Sequence, residues 1–79
     1  MEKNVAVVAV IVSDVEAVEK VNTLLTENRE HIIGRMGIPH VNGYNIISVV
    51  LNATQEIING LSGKLGMISG VKSKVLIAK

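Results

Sequence analysis

An α+β fold of order β-α-β-β-α-β is what this sequence predicts: the ferredoxin-like arrangement, with a four-stranded antiparallel sheet and two helices on one face. Three observations predict it. Residues 5–12 and 44–51 are apolar on both alternating faces and rich in β-branched side chains, as central strands are. Residues 31–36, which lead into Pro39, and residues 71–78, which carry Lys72 and Lys74 on one face, bear the marks of edge strands. Two stretches of helical period separate these runs, each preceded by a capping sequence.

The first strand reads Val5, Val7, Ala9 and Ile11 on one face and Ala6, Val8, Val10 and Val12 on the other, which predicts burial on both sides. Ser13-Asp14-Val15-Glu16 follows as a capping box. In it Ser13 accepts from the third helical amide and Glu16 reaches back to the serine amide. The helix then sets Val15, Val18, Val21 and Leu25 on one side, with Leu24 beside them, and its pattern ends between Asn28 and Glu30. The second strand, residues 31–36, ends near Gly37-Ile38-Pro39, because proline cannot donate to a ladder. Asn42-Gly43 is a strong hairpin signal. The third strand divides into Asn45, Ile47, Val49 and Leu51 against Tyr44, Ile46, Ser48 and Val50. Asn52 reads as the N-cap of a second helix, with Gln55 reaching back. That helix aligns Ile57, Ile58, Leu61, Leu65 and Ile68. Gly60, Gly63 and Gly66 predict either a close backbone approach or fraying after Lys64. Gly70 marks the turn into the last strand.

The chain is 79 residues long, enough for one domain spanning residues 1–79. It has no cysteine, which excludes disulfides, thiolate zinc sites and iron–sulfur ligation by this chain. Stability must come from apolar packing. Val, Ile, Leu and Ala dominate the hydrophobic 48%, and Tyr44 is the sole aromatic. A net charge of +1 lacks the concentrated basic face that direct nucleic-acid binding needs. Asp14, Glu16, Glu19, Glu27 and Glu30 cluster around the first helix, whereas Lys64, Lys72, Lys74 and Lys79 follow the last acid, Glu56. These read as a solvated helix face and a guarded edge. The eight apolar residues 5–12 are too few to span a bilayer and lead at once into polar capping residues, so the expectation is a cytoplasmic protein with no membrane partner.

Two helices cover only one face of a four-stranded sheet, yet the central strands are apolar on both. The uncovered face is a larger aliphatic patch than a soluble monomer normally exposes. A homo-oligomer, either a dimer or a dimer of dimers, is therefore expected.

Chemistry-bearing constellations are sparse. His31 and His40 lie nine residues apart with no Asp or Glu between them to complete a ligand set, so no metal site and no cofactor is expected within one chain. A site shared between subunits through His40 stays open. Ser13 and Ser48 have no histidine or carboxylate at a recognisable catalytic spacing, Asp14 and Glu16 being explained by capping, and no catalytic residue is assigned. RNA-recognition motifs share the element order but stack bases on strand aromatics, which this chain lacks apart from Tyr44. Arg35, a lone guanidinium amid Ile32, Ile33, Met36 and Ile38, suits a carboxylate or phosphate.

Gly34-Arg35-Met36-Gly37-Ile38-Pro39, Ile47-Ser48-Val49-Val50-Leu51 and the tail Leu61-Ser62-Gly63-Lys64-Leu65-Gly66-Met67-Ile68-Ser69-Gly70-Val71-Lys72 together resemble the iron-only hydrogenase system regulator family. These are small bacterial proteins found with hydrogenase maturation functions, and the resemblance covers nearly the whole chain. It implies an ACT-like domain, similar in fold to the C-terminal domain of nickel-responsive repressors, acting in transcription regulation and not in catalysis. Effector identity does not carry over. The turn after the first strand is Ser13-Asp14-Val15 where amino-acid-binding ACT domains have a glycine, and the cysteine and several histidines of the nickel site are missing. Nor is there a ribbon-helix-helix segment to read an operator. Regulation is thus expected through a small-molecule effector or a protein partner. The ligand-binding candidates are Arg35, His40, Ser13 and Asp14, at a subunit interface near the first β–α turn. The alternative is a structural protein–protein assembly module without a ligand of its own.

Overall fold

In a computed structural model, residues 2–78 are described. The chain folds as β1 (Asn4–Val12), α1 (Ala17–Glu27), a single 3-10 turn (Arg29–His31), β2 (Ile32–Val41), β3 (Tyr44–Ala53), α2 (Gln55–Gly66) and β4 (Val71–Ile77). The four strands form one antiparallel sheet of order β2-β3-β1-β4, so the two doubly apolar strands are central and the two marked runs are edges. This is the ferredoxin-like βαββαβ arrangement.

Period-2 alternation decides which side chains meet the helices. Ala6, Val8, Val10 and Val12 of β1 pair with Leu51, Val49, Ile47 and Asn45 of β3, and all but Asn45 are buried. Onto them α1 sets Ala17, Val21 and Leu25, and α2 sets Ile58, Leu61 and Leu65. Each fully buried Val, Leu or Ile contributes roughly 1.5–3 kcal/mol by leaving water. The opposite face of the sheet stays open. Val5, Val7 and Ile11 of β1 are 45%, 39% and 42% exposed, so within one chain β1 is buried on one side and not on both.

β2 departs most from expectation. It runs to Val41 instead of ending near Pro39, and His31 belongs to the preceding 3-10 turn. Its register against β3 slips twice, between Ile32 and Gly34 and between Ile38 and Val41. The second slip holds Pro39 and His40. Because Pro39 has no register partner in β3, the missing proline N–H removes no ladder bond. His40 takes a left-handed φ of 60°, and its backbone N–H donates to Asn45 Oδ1 at 3.1 Å. Neither helix covers β2, and all its residues except Ile32 are exposed. The β2–β3 hairpin therefore projects beyond the core. It closes through Asn42 and Gly43, both at positive φ (50° and 83°), which is the type I′ geometry that Asn-Gly favours.

Both capping predictions need correction. Ser13 does not cap α1: its backbone N–H and its hydroxyl both donate to the Gly70 carbonyl, at 2.8 and 3.1 Å. Asp14 Oδ1 accepts from Glu16 N–H at 3.0 Å, an Asx turn, and Glu16 occupies the N-cap without a side-chain bond. The helix starts at Ala17, which leaves Val15 73% exposed and gives its expected core place to Ala17. For α2 the N-cap is Thr54, whose Oγ1 accepts from Ile57 N–H at 3.4 Å. Asn52 remains in β3, paired with Val5, because β1 extends the ladder that far. The helix continues past Lys64 to Gly66. No atom lies within 4 Å of a Cβ built on Gly60, Gly63 or Gly66, so these glycines serve no close approach.

Candidate functional site

A groove runs between α1 and the helix-side face of the projecting hairpin. It exists because α1 packs over β1 and β3 and stops short of β2. Its main part, about 700 Å³, is walled by Val15, Val18, Glu19 and Asn22 on the helix side and by Pro39, His40 and Asn45 on the hairpin side. At the β1–α1 end it continues into a cleft of about 400 Å³ that gathers Ser13, Asp14, His40, Tyr44 and Asn45. Beside it lies a smaller hollow of about 220 Å³ containing Arg35, with Asn22, Gly37, Pro39 and Asn45.

Three of the four candidate residues, Ser13, Asp14 and His40, thus line one cleft, and Arg35 stands apart from them. Local structure explains each position. The Ser13 bonds to Gly70 and the Asp14 Asx turn fix the β1–α1 turn. The irregularity at Pro39 and His40 carries His40 to the cleft rim. Arg35 pairs in register with Val49, whose side chain is on the helix face, and it donates from Nη2 to Asn22 Oδ1 at 2.9 Å. Its partner is thus a neutral amide of α1, not a carboxylate. Asn45 borders all three hollows and holds His40 in place, and sequence reasoning passed over it. The available signal was its position: a polar residue among Ile47, Val49 and Leu51 on the otherwise apolar face of β3.

The groove carries Asp14, Glu19 and Glu27 toward one side and Arg35 and His40 toward the other, so it can receive a small polar or zwitterionic group. Among the described residues no hydroxyl is hydrogen-bonded to an imidazole or a carboxylate, and Ser13 already donates its proton to a backbone carbonyl. Nucleophile activation of the triad type has no geometry to act through there. Among the described residues no three His, Asp or Glu side chains stand close enough to share a metal ion. No described helix is long and apolar enough to cross a membrane.

Comparison with known proteins complements this geometry. A family model described as "TM1266-like: Iron-only hydrogenase system regulator, putative" matches residues 4–75. The solved structure of the protein TM1266 from Thermotoga maritima is similar at a TM-score of 0.92 and 38% identity, over 99% of this chain and 100% of that one. The C-terminal domain of the MgtC protein from Mycobacterium tuberculosis is similar at a TM-score of 0.77 and 15% identity, over 96% and 88% of the two chains. A formyltetrahydrofolate deformylase from Pseudomonas putida KT2440 matches at a TM-score of 0.63 and 14% identity, over 91% of this chain and 28% of that one. These last two share the fold alone. None of the curated proteins matches the chain.

Proposed function

This chain belongs to the TM1266-like family of iron-only hydrogenase system regulators, and from that premise we propose that it is a non-enzymatic, ligand-responsive regulatory module of ACT type that assembles with copies of itself. The observation that carries this reading is the open face of the sheet. On it Val5, Val7 and Ile11 of β1 and Leu76 of the adjoining β4 are exposed, as are Met36 and Ile38 of β2, which β3 separates from β1. A contiguous aliphatic face of this kind is stabilised by burial against another surface. A second copy supplies a matching one, since a two-fold interface uses the same patch twice.

The ligand-responsive part rests on the cleft at the β1–α1 turn. Ser13, Asp14 and His40 line it, with Arg35 farther along the same groove, and a carboxylate or amine bound there would bridge the turn and the hairpin. Binding would order the projecting hairpin and so change the surface shown to a target protein.

Multi-angle light scattering on the intact chain, combined with thermal shift against amino acids, nucleotides and divalent cations, tests both halves. The expected result is a dimer or larger species whose Tm rises with one ligand class. A stable monomer at all concentrations sinks the assembly half. An assembly whose Tm no ligand moves favours a structural module for a hydrogenase-maturation partner.

A further inference from the structure

Among the described strand residues, the open face of the sheet carries two ammonium groups and no carboxylate. Lys72 and Lys74 stand on β4 opposite Ile11 and Ala9, whereas none of the seven acids of the sequence lies in a strand. Among the described residues the one ion pair joins Glu30 to His31, so neither lysine has a counter-ion there. Beside Lys72 the face sinks into a bowl of about 440 Å³, which meets the β1–α1 cleft at Ser13 and Tyr44. Ile11 and Ile46, which are cross-strand partners, are joined by Val41 and Tyr44, also partners, with Ser13, Asn42 and Lys72 completing the lining. The chain's sole aromatic side chain is therefore here, 46% exposed. Its hydroxyl and the Lys72 ammonium make no side-chain hydrogen bond among the described residues.

We propose that this bowl binds a small organic anion with a branched apolar body. The volume lies within the roughly 300–1,000 Å³ of small-molecule sites, which combine apolar walls with a few polar groups. The carboxylate meets the Lys72 ammonium and the Tyr44 hydroxyl, and the apolar body rests on Ile11, Val41 and Ile46. A cation finds no carboxylate in the lining of the bowl, and two lysines are too few to hold a polyanion. The link to assembly rests on the self-associating reading above. A second copy brings its own lysines and no acid over this face, so closing two faces strips Lys72 of water without compensation. A bound anion removes that cost, and ligand binding then favours association.

Amide NMR titration of the whole chain with isovalerate, against acetate and chloride at equal ionic strength, tests the site. Isovalerate is expected to give saturable shifts at Ile11, Tyr44 and Lys72, with acetate about tenfold weaker for want of the apolar body. Lys72→Gln weakens isovalerate about tenfold, and Lys74→Gln changes it less than about twofold. Both lysines are exposed, so both variants keep the fold. Equal effects of chloride and isovalerate, equal losses in the two variants, or shifts that never saturate would overturn the proposal. Light scattering on the same samples separates the two readings. A monomer that binds isovalerate through Lys72 keeps the bowl and removes self-association, whereas an assembly that ignores isovalerate removes the bowl.

Discussion

At Gly70 the connection into β4 meets the turn that leaves β1, and two constraints fall on one residue. Its φ is +83°, and a Cβ built there would stand 2.6 Å from Asp14 Cβ, while its carbonyl accepts both Ser13 bonds. Gly70→Ala is expected to cost at least about 2 kcal/mol, from left-handed strain plus displacement of the β1–α1 turn. Gly43, also at +83° but with open space around it, provides the control. Gly43→Ala should lose only about 1 kcal/mol. Urea denaturation of both variants checks the difference, and equal losses would mean that the Asp14 contact has no effect. The same residues show what sequence could not resolve. Ser13 and Asp14 were identifiable as important, but a capping box needs only local partners, and the acceptor of Ser13 lies 57 positions away. Arg35 was legible as a lone charge, while its partner Asn22 is set by where α1 lies relative to β2 in the fold.

At the scale of elements, alternation and edge marks sufficed to order the strands, because burial on a pleated sheet follows period 2 directly. The two irregularities of β2 were not legible, since a residue becomes extra only relative to the register of its neighbour. The glycines of α2 were visible but their meaning was not. Spacing alone permits a close approach, and the packing shows open space instead. Gly60→Ala and Gly63→Ala are therefore each expected to stabilise the chain by about 0.5–1 kcal/mol, by restricting the unfolded backbone and favouring the helix. A thermal melt should register each as a rise of a few degrees, on the order of 4–8 °C per kcal/mol for a domain of this size. A fall in Tm, accompanied by a lower mass in light scattering, would instead place the exposed side of α2 against another copy.

Across the whole molecule the charges and the apolar surface are segregated. The acids all lie outside the strands, and the open face of the sheet combines aliphatic side chains with Lys72 and Lys74. Val7 tests what that face does, because it lies on β1 between Val50 and Leu76, away from either sheet edge. In an isolated chain its side chain is already 39% exposed, so Val7→Lys should cost no more than about 1 kcal/mol of strand preference. Covered by a second copy, the new ammonium would be desolvated among aliphatic groups, with no described carboxylate on the face to pair with. The expected outcome is a folded monomer: unchanged far-ultraviolet circular dichroism and a scattering mass of one chain. Val8→Lys is the contrast, since Val8 is fully buried beneath the helices and the substitution should unfold the chain in any assembly state. If Val7→Lys keeps the mass of the unaltered protein, the open face is not where the copies meet, and the projecting β2–β3 hairpin becomes the surface to mutate next.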